Sequence, residues 1–191
     1  MSDEPSDREL VEQARGGERA AFALLFERYS NQIFGLLVVI SGDRDVAADL
    51  TQESFMLAHE RLDQLNDPEQ FRAWLYQIAR NRWRDVLRGR QGMQRAVERL
   101  GGHPLAGDAD WSRIDPLAEL AERDLVARTL ADLRRCDREV LALRHFWQLS
   151  GAEIAELLNI TPAAAQRRVN RAEERFRERY RELAGEEPHI S

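Results

Sequence analysis

Apolar residues recur along this chain at intervals of three and four, and no segment shows the apolar/polar alternation of a half-buried strand, so the pattern predicts an all-α fold. Ser6 followed by Glu9 has the spacing of a capping box, and Leu10, Val11 and Ala14 then make a short helix that Gly16 and Gly17 end. From Glu18 to about Ile40, Phe22, Leu25, Phe26, Tyr29, Ile33, Phe34, Leu36 and Leu37 form a stripe that must be buried. Asp43 caps a third helix, from about Arg44 to Leu62, with Val46, Leu50, Leu57, Ala58 and Leu62 expected inward and Asp49, Gln52, Glu53 and Glu60 outward. Asp67 and Pro68 open a fourth, reaching about Arg90, with Phe71, Trp74, Leu75, Ile78 and Ala79 inward.

The character changes over residues 91–116, where Gly92, Gly101, Gly102, Pro104, Gly107 and Pro116 accompany Asp108, Asp110 and Asp115, as in an interdomain linker. Helical spacing resumes from Leu117 through Leu120, Leu125, Val126, Leu130 and Leu133, then Val140, Leu141, Leu143 and Phe146. Ser150 and Glu153 repeat the capping-box spacing before Ile154, Ala155, Leu157 and Leu158. Asn159 tolerates the left-handed backbone that stops a helix, and Thr161 with Pro162 starts another at once, which predicts a helix-turn-helix. The expected organisation is two small helical domains, residues 1–90 and 117–184, with a linker over 91–116 and a tail over 185–191.

Length and charge narrow what such a fold does. The 191 residues, 43% of them apolar, suffice for two small cores, and a net charge of -6 argues against indiscriminate coating of nucleic acid. Any contact with nucleic acid must come from local basic surfaces, and all 28 basic residues are Arg. Cys136 is the single cysteine and His59, His103, His145 and His189 are scattered, so no disulfide, metal site or cofactor is expected. No convergent nucleophile and base appear, which argues against an enzyme. No apolar run approaches the ~20 residues of a membrane span, and the acidic start from Asp3 lacks the basic opening of a signal peptide, so a cytoplasmic protein without membrane contact is expected.

Two local surfaces carry candidate chemistry. The last helix begins with Gln166, Arg167, Arg168, Asn170 and Arg171, and in a helix-turn-helix this part faces the major groove. Gln166, Arg167 and Asn170 suit base edges and Arg168 and Arg171 suit phosphates; the alternative is a solvated helix laced with Glu/Arg pairs. The fourth helix carries Arg72, Arg80, Arg82, Arg84, Arg88 and Arg90 with Asn81 and Trp83 between them, which suits an unpaired strand if Trp83 stacks on a base and not if Trp83 is a packing residue. The acid and amide face of the third helix suits docking on a basic partner, or plain solvation.

Three motifs join these surfaces. Asp49, Leu50, Thr51, Gln52, Glu53, Ser54 and Phe55, then Phe71, Arg72, Ala73, Trp74 and Leu75 with Ile78, Ala79, Arg80 and Asn81, then Leu149, Ser150, Ala152, Glu153, Ile154, Ala155 and Glu156, closely resemble the extracytoplasmic-function sigma factors of bacterial RNA polymerase, over nearly the whole chain. The resemblance implies binding to core RNA polymerase, both to the clamp helices of the β′ subunit, through Asp49, Gln52, Glu53 and Phe55, and to the β subunit. It implies capture of a flipped base of the minus-10 element by the loop Asp63 to Glu69, with Asn66, and by the helix with Arg80, Asn81, Trp83, Arg84 and Arg88. Reading of the minus-35 duplex falls to Gln166, Arg167, Arg168, Asn170, Arg171 and Arg175, and an anti-sigma factor is a possible further partner. The chain departs from the family where a Thr, Val, Lys, Ser run is usual: Ala164, Ala165, Gln166 and Arg167 stand there, which replaces two polar contacts. The competing reading is a stand-alone helix-turn-helix regulator with an N-terminal sensing domain.

Overall fold

The computed structural model describes residues 4–99 and 121–185, with the backbone alone described over 91–99 and 121–124. Among the described residues the chain is helical without strands: α1 Asp7–Arg15, α2 Arg19–Ser41, α3 Arg44–Glu60, α4 Phe71–Arg99, α5 Ala121–Asp132, α6 Arg135–Leu141, α7 Gly151–Leu158 and α8 Pro162–Ala184. Two compact units result, one from residues 4–37 and 47–99, the other from 38–46 and 121–185.

In the N-terminal unit the capping box at α1 is closed: Ser6 Oγ accepts from the Glu9 amide at 3.3 Å and Glu9 Oε2 accepts from the Ser6 amide at 2.7 Å. The Ser6 amide, and the Ser6 hydroxyl donating to Glu9 Oε2 at 2.9 Å, hold the Glu9 carboxyl below its ordinary pKa. Asp43 caps α3 by accepting from the amides of Asp45 at 3.0 Å and Val46 at 3.1 Å. α2 supplies Leu25, Ile33, Leu36 and Leu37 to the core, each at 0% exposure. By length and composition alone α2 could cross a membrane, although Glu27 and Arg28 interrupt its apolar run, and the burial of its apolar side chains accounts for its character.

The inward face of α3 differs from the expected one. Ala47, Leu50, Thr51, Ser54, Phe55 and Ala58 are buried, whereas Val46 and Leu57 are half-exposed. Two hydroxyls make that rotation affordable, since Thr51 Oγ1 donates to the Ala47 carbonyl at 2.7 Å and Ser54 Oγ to the Leu50 carbonyl at 2.6 Å. With their polar atoms satisfied on the helix itself, Thr51 and Ser54 take buried positions without leaving a hydroxyl unpaired.

Two 3-10 turns, Leu62–Gln64 and Pro68–Gln70, carry the chain from α3 to α4, so Pro68 opens a 3-10 turn and the α-helix proper starts at Phe71. α4 runs to Arg99, nine residues beyond the expected Arg90. The first part of the segment read as a linker is thus helical, and its remainder over 100–116 lies outside the described residues, as does the tail beyond 185.

In the C-terminal unit α8 packs against α5, α6 and α7. Arg138, largely buried, donates to the carbonyls of Leu130, Ala131 and Leu133 at 3.2 to 3.3 Å and so closes the end of α5, where burial lowers its pKa. α6 passes into a π-helical turn over Ala142–Phe146, in which the Trp147 amide reaches back five residues to the Ala142 carbonyl at 3.2 Å. That extra residue shifts the helical phase. Phe146, expected inward, is 60% exposed, and Trp147 is buried in its place.

Candidate nucleic-acid interface

The helix-turn-helix forms as the sequence predicts. Ser150 and Glu153 close a capping box at α7, Asn159 ends that helix at φ 53 and ψ 53, and Thr161 Oγ1 accepts from the Ala164 amide at 3.2 Å to start α8. Ala165, Val169 and Ala172 face inward, which turns Gln166, Arg167, Arg168, Asn170 and Arg171 outward. Gln166 Nε2 donates to Asn170 Oδ1 at 2.7 Å, so these two amides act as one unit. Gln166 also lies close over Gly151, where an added Cβ would stand 3.1 Å from its Oε1. Arg167, Arg168 and Arg171 are exposed and make no ion pair with any described residue. Their charge faces solvent uncompensated by any described residue.

Arg175 is placed differently from the other arginines. Its Nη1 donates at 2.6 Å to Asp137 Oδ2, and the Asp137 side chain is only 9% exposed. The pair ties α8 to α6, so Arg175 is engaged inside the C-terminal unit, a correction to its grouping with the outward arginines. His145 Nε2 lies 3.3 Å from Glu173, and Arg179 bridges Asp132 at 2.6 Å and Glu182 at 2.7 Å. The second half of α8 is therefore an anchoring segment.

On α4 the basic residues sort onto two sides. Asn81, Arg84 and Arg88 are exposed and spaced by three and four, which puts them on one face. Arg84 makes no ion pair with a described residue, Arg88 pairs with Asp85, and Arg80 is half-buried and engaged within the protein. Trp83 falls on the opposite side. Phe71, Leu75, Ala79 and Trp83 succeed one another at intervals of four, and Trp83 is 5% exposed, so in this conformation it cannot stack on a base. Its Nε1–H is buried without a hydrogen-bond partner among the described residues, and the Arg90 guanidinium lies 5.8 Å from its ring.

Asp49, Gln52 and Glu53 are exposed on α3 as expected, but Phe55 is not. At 3% exposure it packs edge-on against Phe22 at 6.5 Å and Phe26 at 4.7 Å between ring centroids, supporting the face from below. Met56, at i+7 from Asp49 and i+3 from Glu53, takes the outward position at 59% exposure, and Phe26 beside Phe55 is 42% exposed. Spacing alone would have picked out Met56 once the helix phase was known. Glu53 Oε2 is held by Arg82, from Nη2 at 2.7 Å and Nε at 3.1 Å.

Asn66 is exposed in the loop between the two 3-10 turns, flanked by buried Leu65 and Pro68. α1 grips this loop, a contact for which the sequence holds no local signal. Arg15 donates to the Leu62 carbonyl from Nε at 3.2 Å and Nη2 at 3.0 Å and also to the Leu65 carbonyl, while Arg8 lies 3.0 Å from Glu69 and 3.6 Å from Asp67.

Residues 25–93 match the model of Sigma-70 region 2, and residues 123–176 that of Sigma-70 region 4. The chain is 31% identical over 180 residues to the RNA polymerase sigma-H factor of Pseudomonas aeruginosa, covering 91% of this chain and 93% of that one. It is 30% identical over 184 residues to the ECF RNA polymerase sigma-E factor of Haemophilus influenzae, covering 91% and 95%. Among solved structures, CnrH in complex with the cytosolic domain of CnrY is similar at 26% identity and a TM-score of 0.65, over 91% of this chain and 96% of that one.

Proposed function

Given that the chain belongs to the extracytoplasmic-function sigma factors of the sigma-70 family, which bind core RNA polymerase and direct it to minus-10 and minus-35 promoter elements, we propose a division of that work among its residues. The face of Asp49, Gln52, Glu53 and Met56 docks on the β′ clamp helices, with Phe55 as its support. An apolar centre ringed by acid and amide groups suits a basic helical partner. Asn66 and the outer face of α4, with Asn81, Arg84 and Arg88, take the unpaired minus-10 strand. Flipping a base costs a few kcal/mol, which loop contacts and phosphate pairing must offset. Gln166, Arg167 and Asn170 read the minus-35 duplex while Arg168 and Arg171 hold its phosphates, and Arg80, Trp83 and Arg175 act from within the protein.

The observation that carries this reading is the cluster of Arg167, Arg168 and Arg171, exposed and without an ion pair among the described residues, on a helix whose start is fixed by the αL stop at Asn159 and the Thr161 cap. A stand-alone helix-turn-helix regulator accounts for that cluster but not for the region 2 match over residues 25–93. The chain acts as a binding factor that lends specificity to an enzyme, in the cytoplasm where that enzyme works, and an anti-sigma factor is a further partner in this proposal. Support for such a protein partner comes from the similar CnrH, solved with the cytosolic domain of CnrY. Transcription by purified core enzyme with and without the chain is the test: initiation that starts only when the chain is added supports the reading, and none on any promoter rejects it.

A further inference from the structure

α1 has no place in the division of labour above, yet it is tied at both ends. On one side Asp7 accepts from Arg28 Nη1 at 2.5 Å and from the Tyr29 hydroxyl, which fixes α1 to α2. Burial, then the bond to Asp7, raises the Tyr29 pKa, so the phenol remains a donor. On the other side Arg8 and Arg15, seven residues and two turns apart on one face of α1, reach the loop that carries Asn66. Arg15 forks onto the Leu62 and Leu65 carbonyls, just before Asn66; Arg8 holds Asp67 and Glu69, just after it.

We propose that α1 is a positioning element for promoter selection, in which Arg15 and Arg8 fix the loop backbone on either side of Asn66 and thereby decide which minus-10 base it accepts. The inference rests on the assignment of this loop to the minus-10 strand. Leu62 and Leu65 are each 5% exposed and turn their side chains into the core, so their carbonyls lie in a part-buried setting where an unbonded oxygen is costly. Arg15 Nη2 reaches both oxygens and Nε adds a second bond to the Leu62 carbonyl, which fixes the plane of the guanidinium as a single ammonium nitrogen does not. Asn66 then projects from a platform held by Leu65 and Pro68 below and α1 behind. Arg15 is committed to the loop carbonyls, and Arg8, 46% exposed, is shared among Glu12, Asp67 and Glu69. Their effect on DNA is exerted through Asn66.

The test uses holoenzyme reconstituted from core RNA polymerase and the full chain, transcribing a panel of promoters substituted at each minus-10 position. Arg15→Ala should lower discrimination at the base read by Asn66 about tenfold, the scale of one charge-assisted hydrogen bond, and leave the salt dependence of promoter binding unchanged. Arg15→Lys, which lacks the second nitrogen on the Leu62 carbonyl, should restore it only in part, whereas a phosphate contact would tolerate Lys fully. Amide exchange of residues 63–67 in the free chain should quicken about tenfold in Arg15→Ala, with the rest of the N-terminal unit unchanged. Should Arg15→Ala fail to fold, Arg8→Ala, which removes only exposed pairs, carries the same expectation at smaller size. Asn66→Ala in the same panel separates the two ideas. If Asn66→Ala flattens discrimination and the arginine variants do not, the role of α1 is overturned while the minus-10 assignment stands; if Asn66→Ala has no effect at any position, that assignment itself fails.

Discussion

Glu53 on α3 and Arg82 on α4 are joined by a forked contact, with Nη2 at 2.7 Å and Nε at 3.1 Å from one carboxylate oxygen, and Arg82 Nη1 reaches Asp85 at 3.5 Å. The pair links the surface proposed for polymerase to the helix proposed for the minus-10 strand. The bond to Glu53 is the first cause of the raised Arg82 pKa. With the side chains 37% and 48% exposed, solvent screening keeps the stabilisation small. A double-mutant cycle with Glu53→Gln and Arg82→Gln should give a folding coupling of about 0.2–1 kcal/mol. Affinity for core polymerase should fall more in Glu53→Gln than in Arg82→Gln, and equal losses would argue that the pair, not the carboxylate, meets the partner.

Trp83 and its neighbours separate packing from strand capture. Trp83→Ala should cost about 3–5 kcal/mol in urea unfolding, as for a large aromatic removed from a core. Asn81→Ala and Arg84→Ala, on the exposed face, should change stability by no more than about 0.5 kcal/mol. They should instead reduce permanganate reactivity of promoter thymines in the open complex, and normal reactivity in the Asn81/Arg84 double variant rejects their role.

The arginines of α8 should divide by salt dependence. Arg168→Ala and Arg171→Ala should each lower the slope of log K against log salt by about 0.9 in holoenzyme binding to a promoter duplex. Arg175→Ala should leave that slope nearly intact and destabilise the fold by about 1–3 kcal/mol, because it strands the Asp137 carboxylate in a part-buried site. A slope change for Arg175→Ala equal to that of Arg168→Ala would put Arg175 on the DNA after all.

Acid should loosen α1 first at its start. The Glu9 carboxyl, held by the Ser6 backbone and hydroxyl, titrates below its ordinary value, so its contribution is fully present above the unfolded pKa and is lost as pH falls through the folded one. The protection of the Glu9 and Leu10 amides, relative to their intrinsic exchange at each pH, should therefore fall over that acid interval in the wild type. In Glu9→Gln that fall should be absent.

The two helical units were legible because capping chemistry is local: Ser6, Asp43, Ser150 and Thr161 each declare a helix start within three residues of themselves. Phe55 and Trp83 are of types that suit a binding surface, while their phase on the helix buries them. The phase of α3 turned on Thr51 and Ser54, polar residues that become apolar in effect by bonding to their own backbone. Arg175 and Arg168 look alike in sequence, and only the buried Asp137 tells them apart. The grip of Arg15 on distant carbonyls has no sequence signature at all.

The π-helical turn at Ala142–Phe146 holds one surplus residue in the wall of the C-terminal unit. A chain that lost Phe146 would wind on as a regular helix with Trp147 still in its seat, because the Trp147 amide would reach back four residues to the Ala142 carbonyl instead of five. Gain or loss of a single codon could thus exchange a greasy outward ring for a smooth wall without unmaking the fold. Few other places in a packed bundle let a lineage add or retire an exposed aromatic at so small a cost in architecture.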